Sequence, residues 1–201
     1  DIRNAFAAIY MPEAESKKRV SIPVETIRQI QQSCIEHDDD MRWLIALISD
    51  TGMRLAEAAG LHINDLQLDE DIPYVDIKPH PWRSLKTKGS QRQVPLVGAS
   101  LWAAQRIKAN ASSCFAFPRY TDNTRCNANS ASNALNKWLH ANFRKDIVIH
   151  GFRHAMRDRL RAVSCPSEMI DQIGGWSSGK VGECYEERFD LRSVFNCLEQ
   201  I

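Results

Sequence analysis

No stretch of this sequence is apolar enough to cross a membrane. The longest uncharged run, Gln93–Gln105, has 13 residues and is interrupted by Pro95 and Gly98, against the ~20 apolar residues a spanning helix needs. Residues 1–13 lack the charged start and apolar run of a secretory leader. The six cysteines include no C-x-x-C pair, which excludes a zinc ribbon and a thioredoxin-like redox motif. Their even number leaves a disulfide framework formally open. However, a chain of this size buries a core without staples, so the expectation is reduced thiols and a cytoplasmic setting. Neither sign of charge predominates. Lys and Arg total 26 against 25 Asp and Glu, a net of +1. That excludes a uniformly basic nucleic-acid binder and an acidic solvating tail. There is no internal repeat, no low-complexity tract and no initiating Met, and a chain starting at Asp1 is expected to be a fragment of a longer protein.

What is present is an ordinary globular composition over 201 residues, 43% hydrophobic and 25% charged. The small net charge conceals an uneven distribution. Residues 1–76 carry 7 basic and 15 acidic groups, residues 77–145 carry 12 and 1, and residues 146–201 carry 7 and 9; the nets of −8, +11 and −2 sum to +1. A middle third at +11 is a candidate electrostatic footprint for phosphates. The alternative is a set of solvated faces that fold beside the acidic first third.

Residues 1–20 show little periodicity and read as a linker or domain edge, leaving 21–201 as one domain. Ser21-Ile22-Pro23-Val24-Glu25 opens a helix with Ile27, Ile30 and Cys34 on one face. Asp38-Asp39-Asp40 suits a second helix start, and Thr51-Gly52 ends that helix. A short helix is expected over Arg54–Leu61. Ile72–Ile77 alternates as a strand. Leu85 and Val94-Pro95-Leu96, flanking the polar stretch Thr87–Arg92, read as a β-hairpin. Helices resume at about Ala99–Ala109, Ser130–Phe143, His150–Val163, Pro166–Ile173 and Leu191–Leu198. The expected fold is mostly α (α+β), helical with a small three-stranded antiparallel sheet.

His150-Gly151-Phe152-Arg153-His154 opens a helix. His150 and Arg153 share a face there, beside free backbone N–H groups and the positive end of the helix dipole, which together suit an anion. His150 and His154 also have the i, i+4 spacing of zinc hydrolases. Gly151 stands where such a site needs its general-base Glu, so no metal is expected. Thr51-Gly52-Met53-Arg54 presents a second guanidinium at a helix start, with Glu57 one turn on to orient it. Lys86-Thr87-Lys88-Gly89 supplies a basic tip.

In this order the segments resemble the catalytic domain of the tyrosine recombinases, the phage-integrase family. Thr51-Gly52-x-Arg54-x-x-Glu57-x-x-x-Leu61 resembles the family's first-arginine box. Lys86-Thr87 leading to Arg92-x-Val94-Pro95-Leu96 resembles its lysine hairpin, and His150-x-x-Arg153-His154 its second box. Gly174-Gly175-Trp176, with Tyr185 nine residues later, resembles its last box and nucleophile. Trp176 occupies a position where most members have His and a minority Trp. The catalytic lysine is Lys86 in the Lys-Thr register or Lys88 in the Lys-Gly register, with Lys86 favoured. The family's N-terminal DNA-clamping domain is absent from these 201 residues.

The resemblance implies cleavage and rejoining of double-stranded DNA without metal, ATP or other cofactor. Tyr185 would attack phosphorus to form a 3′-phosphotyrosine, with Arg54 and Arg153 on the non-bridging oxygens. Lys86 would protonate the leaving 5′-oxygen, and His150 would act as base or hydrogen-bond partner of Tyr185. Trp176 would bind and pack, with Glu57, His154 and Lys88 in support. Arg83, Lys88, Arg92, Arg119 and Arg125 are the candidate DNA contacts. The implied partners are duplex DNA and further copies of the chain, as a tetramer on paired sites and a monomer as an isolated fragment. Leu191, Val194, Phe195 and Leu198 form a stripe that docks on a neighbour or folds back on its own core. The implied setting is a bacterial or phage-encoded, nucleoid-associated protein. Two other readings stand beside the recombinase: a type IB topoisomerase-like enzyme with the same chemistry, and a DNA-binding relative without catalysis.

Overall fold

The computed structural model describes residues 21–176 and 188–201, apart from the Lys88 side chain. Tyr185 therefore lies outside the described residues. The first helix, α1, is Val24–His37, and α2 is Asp40–Thr51. The Asp39 carboxylate accepts from the Arg42 N–H at 3.0 Å and so caps the start of α2. Gly52, at φ 61°, ends α2 in the left-handed region, its N–H donating to the Ile48 carbonyl. Every residue from Leu44 to Thr51 is buried, because α2 is enclosed by α1, by α4 (Gly98–Ala109) and by α6 (Ile149–Ala162).

The buried charge of α2, Asp50, is answered from those neighbours. Asp50 accepts from Arg159 Nη1 and the Gln31 side chain, both at 2.9 Å, and from the Ala99 N–H at 3.0 Å. Asp50 thus ties α2 to three helices and satisfies a carboxylate that would otherwise be costly to bury.

The sheet is three-stranded and antiparallel, in the order β1 (Leu66–Gln67), β2 (Tyr74–Ile77), β3 (Arg92–Pro95). Leu66, Val75 and Val94 sit opposite one another across the strands and are all fully buried, so one apolar row fixes the register. The composition of this sheet corrects the expected hairpin. Leu85 belongs to no strand, and the third strand is instead Leu66–Gln67. Pro79 and Pro81 carry no N–H for a ladder. His80 and Arg83 close a tight turn by exchanging backbone hydrogen bonds at 3.0 Å, and Lys88–Ser90 winds into a 3-10 turn.

The remaining helices are α3 (Leu55–Ala59), α5 (Ala128–Asn142), α7 (Ser167–Gly174) and α8 (Leu191–Leu198). Both α7 and α8 pack against β3. Val194, Cys197 and Leu198 of α8 are buried on the chain's own core, so the C-terminal stripe folds back rather than standing unpartnered. No helix among the described residues is long and apolar enough to cross a membrane.

Candidate active site

Glu57 is the organising residue. Its carboxylate is buried, and Oε1 accepts from Arg54 Nη1 at 2.7 Å. Oε2 accepts from the Arg54 N–H and from Arg92 Nη2, each at 2.9 Å. Burial raises the Glu57 pKa, but the charge and hydrogen bond of Arg92 and the hydrogen bonds from Arg54 outweigh it and hold the carboxyl below its ordinary 4.5. Arg54 caps the start of α3, which is why its side chain meets a carboxylate one turn along the same helix. Its other donors reach Ser90 Oγ (3.2 Å, from Nη1) and the Gly175 carbonyl (3.0 Å, from Nη2).

Arg153 lies on the buried face of α6, 3% exposed. Its Nη1 donates to the Gly52 carbonyl at 2.7 Å. Gly52 lies close against α6: a Cβ there would come within 2.9 Å of Met156 Cγ. Nη2 is buried and has no hydrogen-bond partner among the described residues. Burial, then the Arg54 and Arg92 charges, push the Arg153 guanidinium from 12.5 down to about 9, with Glu57 acting in the opposite direction. Three guanidiniums near one carboxylate leave positive charge in excess, and Arg153 Nη2 adds an N–H with no partner among the described residues. An anion is the ligand that relieves both.

Trp176 completes the cluster. The Arg153 Cζ lies 4.4 Å from its ring centroid. The two preceding glycines are required sterically. A Cβ on Gly174 would come within 1.9 Å of the indole, and one on Gly175, already at φ 59°, within 2.8 Å of Arg92 Nη1.

A sequence profile of the phage integrase family matches residues 21–191. The chain belongs to the phage integrase family. Tyrosine recombinase XerC of Neisseria meningitidis serogroup B (strain MC58) is 25% identical over 188 residues, covering 89% of this chain and 59% of that protein. The chain thus spans under two thirds of that relative's length. Among solved structures, the Tn1549 transposon integrase in complex with circular intermediate DNA superposes with TM-score 0.62 at 16% identity, over 92% of this chain and 66% of that one. The XerH site-specific recombinase bound to a palindromic difH substrate gives TM-score 0.56 at 18% identity, over 81% and 48%. These two likenesses establish that the fold is that of integrase catalytic regions.

Within this integrase-family chain, Arg54, Glu57, Arg153 and Trp176 come together. Lys86 is exposed, and its loop is anchored to the cluster by Thr87, whose Oγ1 lies 3.0 Å from Ser90 Oγ, itself bonded to Arg54. His150 is exposed on the first turn of α6, its ring edge-on to His154 with centroids 5.0 Å apart. His154 is also exposed.

Two candidate DNA contacts are corrected. Arg83 and Arg92 are 4% and 3% exposed, so neither offers its charge at the surface. Arg92 is a structural strut: besides Glu57, it donates to the Ile173 and Ser90 carbonyls, each at 2.7 Å. It thereby ties β3 to α7. Arg83 lies against Gly60, where a Cβ would meet its Cδ at 3.0 Å. Arg119 and Arg125 are exposed, and Arg119 pairs with Asp40 at 2.8 Å.

The +11 of the middle third is also partly spent internally. Lys78 pairs with Asp65 and Asp76, Arg106 with Asp38, Arg119 with Asp40 and Arg92 with Glu57. All of these carboxylates belong to the acidic first third. Ser90, Arg157 and Asp171 were not singled out from the sequence, although Arg157 stands one turn beyond Arg153 on the same helix.

Proposed function

We propose that this chain is the catalytic region of a site-specific DNA recombinase or integrase, acting through a 3′-phosphotyrosine. The observation that carries the proposal is the Arg54–Glu57–Arg92 clamp set beside Arg153, whose Nη2 has no partner among the described residues, in a chain of this family. In this reading Arg54 and Arg153 bind the non-bridging oxygens of the scissile phosphate. Their fixed donors are worth most as charge grows on those oxygens in the pentavalent transition state, and removing one costs about 10²–10³ in rate.

The Tyr185 oxygen forms its bond to phosphorus as the P–O5′ bond breaks. His150 takes the tyrosine proton, and Lys86 gives one to the departing 5′-oxygen. Attack by a partner 5′-hydroxyl reverses the sequence and frees Tyr185. The phosphoester bond is conserved, so no energy source enters. The related structures hold DNA, and we extend that to a duplex DNA substrate here, with further copies of the chain on paired sites.

A nicked suicide substrate incubated with the full-length protein tests this. A covalent protein–DNA adduct is expected that survives EDTA and is lost in Tyr185→Phe. An adduct that persists in that variant removes Tyr185 as nucleophile, and an adduct that needs magnesium removes the metal-free mechanism.

A further inference from the structure

Asp171 of α7 fixes two things at once. Its backbone carbonyl accepts from the Trp176 N–H at 3.0 Å, and its Oδ1 accepts from Arg157 Nη2 at 2.7 Å. The Arg157 Cζ then lies 4.8 Å from the Trp176 ring centroid, beside the 4.4 Å contact of Arg153 with the same ring. The indole is flanked by two guanidiniums from successive turns of α6. The Arg157 and Asp171 side chains are 37% and 24% exposed, and ion pairs so exposed add little to stability.

Their geometry serves a different need. Arg153 is repelled by Arg54 and Arg92, and a carboxylate placed against it would cancel the charge it must offer an anion. An aromatic face attracts a cation and leaves its charge intact. That face must be held still if Nη2 is to keep its aim.

We propose that Arg157 is a positioning residue: paired with Asp171, it holds the Trp176 indole against Arg153, so that Arg153 presents Nη2 to the scissile phosphate with an aromatic face, not a carboxylate, packed against it. The assignment rests on the recombinase reading above. It gives Trp176, which cannot titrate, a defined task in place of proton transfer.

The test measures single-turnover cleavage of the suicide substrate at saturating DNA, together with DNA affinity. Arg157→Ala and Asp171→Asn are expected to slow cleavage by about 10- to 100-fold, the cost of slight misplacement near the reacting atoms, with affinity held within about twofold. Arg157→Lys keeps the charge but not the planar fork, so it is expected to stay slow. The Trp176 emission, obtained by subtracting the spectrum of Trp176→Phe, is expected to shift red and to quench more readily in Arg157→Ala.

Three results overturn the proposal: a loss of affinity with an unchanged saturating rate, rescue by lysine, or an unchanged Trp176 signal. If the unmodified protein forms no adduct, the recombinase reading fails. The Trp176 emission then decides on its own whether Arg157 holds the indole. Thermal unfolding of each variant separates loss of fold from loss of position, and Asp171→Asn, which keeps the backbone carbonyl and side-chain shape, stands in should Arg157→Ala not fold.

Discussion

Glu57 pairs directly with two guanidiniums and reaches a third, Arg153, only through its charge. Its folded pKa lies below 4.5, so its ionised form favours the folded state. That contribution is complete above the unfolded value and is lost as pH falls through the folded one. Glu57→Gln is therefore expected to lower the unfolding free energy at neutral pH by about 3–5 kcal/mol, as for a broken buried pair. The two proteins should converge as the pH drops below 4.5 in acid denaturation, and a gap that stays constant there contradicts the assignment. At this scale Arg54, Glu57 and Arg153 were legible, because a helix-start Arg with Glu three residues on is a local pattern. Arg92 was not: in the sequence it is one more cation in a basic hairpin. Only the fold places it against Glu57, 35 residues away in sequence.

Helix α7 holds the chain on both sides of residues 177–187. Asp171 grips Trp176, while the Gln172 side chain donates to the Phe189 carbonyl and accepts from the Phe189 N–H, both at 2.9 Å. That amide takes the place of a strand partner for one residue. Gln172→Ala is expected to raise amide hydrogen exchange in α8, residues 191–198, while α2 keeps its protection. Exchange in α8 unchanged from the parent protein takes this role from Gln172. Helices were the legible elements: Asp39 and Gly52 end α2 where capping chemistry puts them. The sheet is less legible, because a two-residue strand at Leu66–Gln67 is too short to show alternation. Leu85 follows a segment that turns back on itself at His80 and Arg83 instead of joining the sheet.

At the scale of the molecule, the opposed charges of the first and middle thirds fold onto one another. Asp38, Asp40, Glu57 and Asp65 each pair with a cation from 77–145. The sequence pattern alone could not separate cations used inside from those left for a partner. The fold does so for Arg83 and Arg92, which are buried, and for Lys86 and Arg125, which are exposed. Binding to duplex DNA is expected to fall with salt, and Arg125→Ala to reduce the slope of log K against log salt by about 0.9, one phosphate contact. An unchanged slope removes Arg125 from the interface.

In the proposed reaction this cluster of guanidiniums serves a tyrosine nucleophile on a DNA phosphate. Its most direct test is mass-spectrometric mapping of the trapped protein–DNA adduct after proteolysis. A nucleotide joined through its 3′-phosphate to Tyr185 is expected. A nucleotide on any other residue, or one joined through its 5′-phosphate, contradicts it.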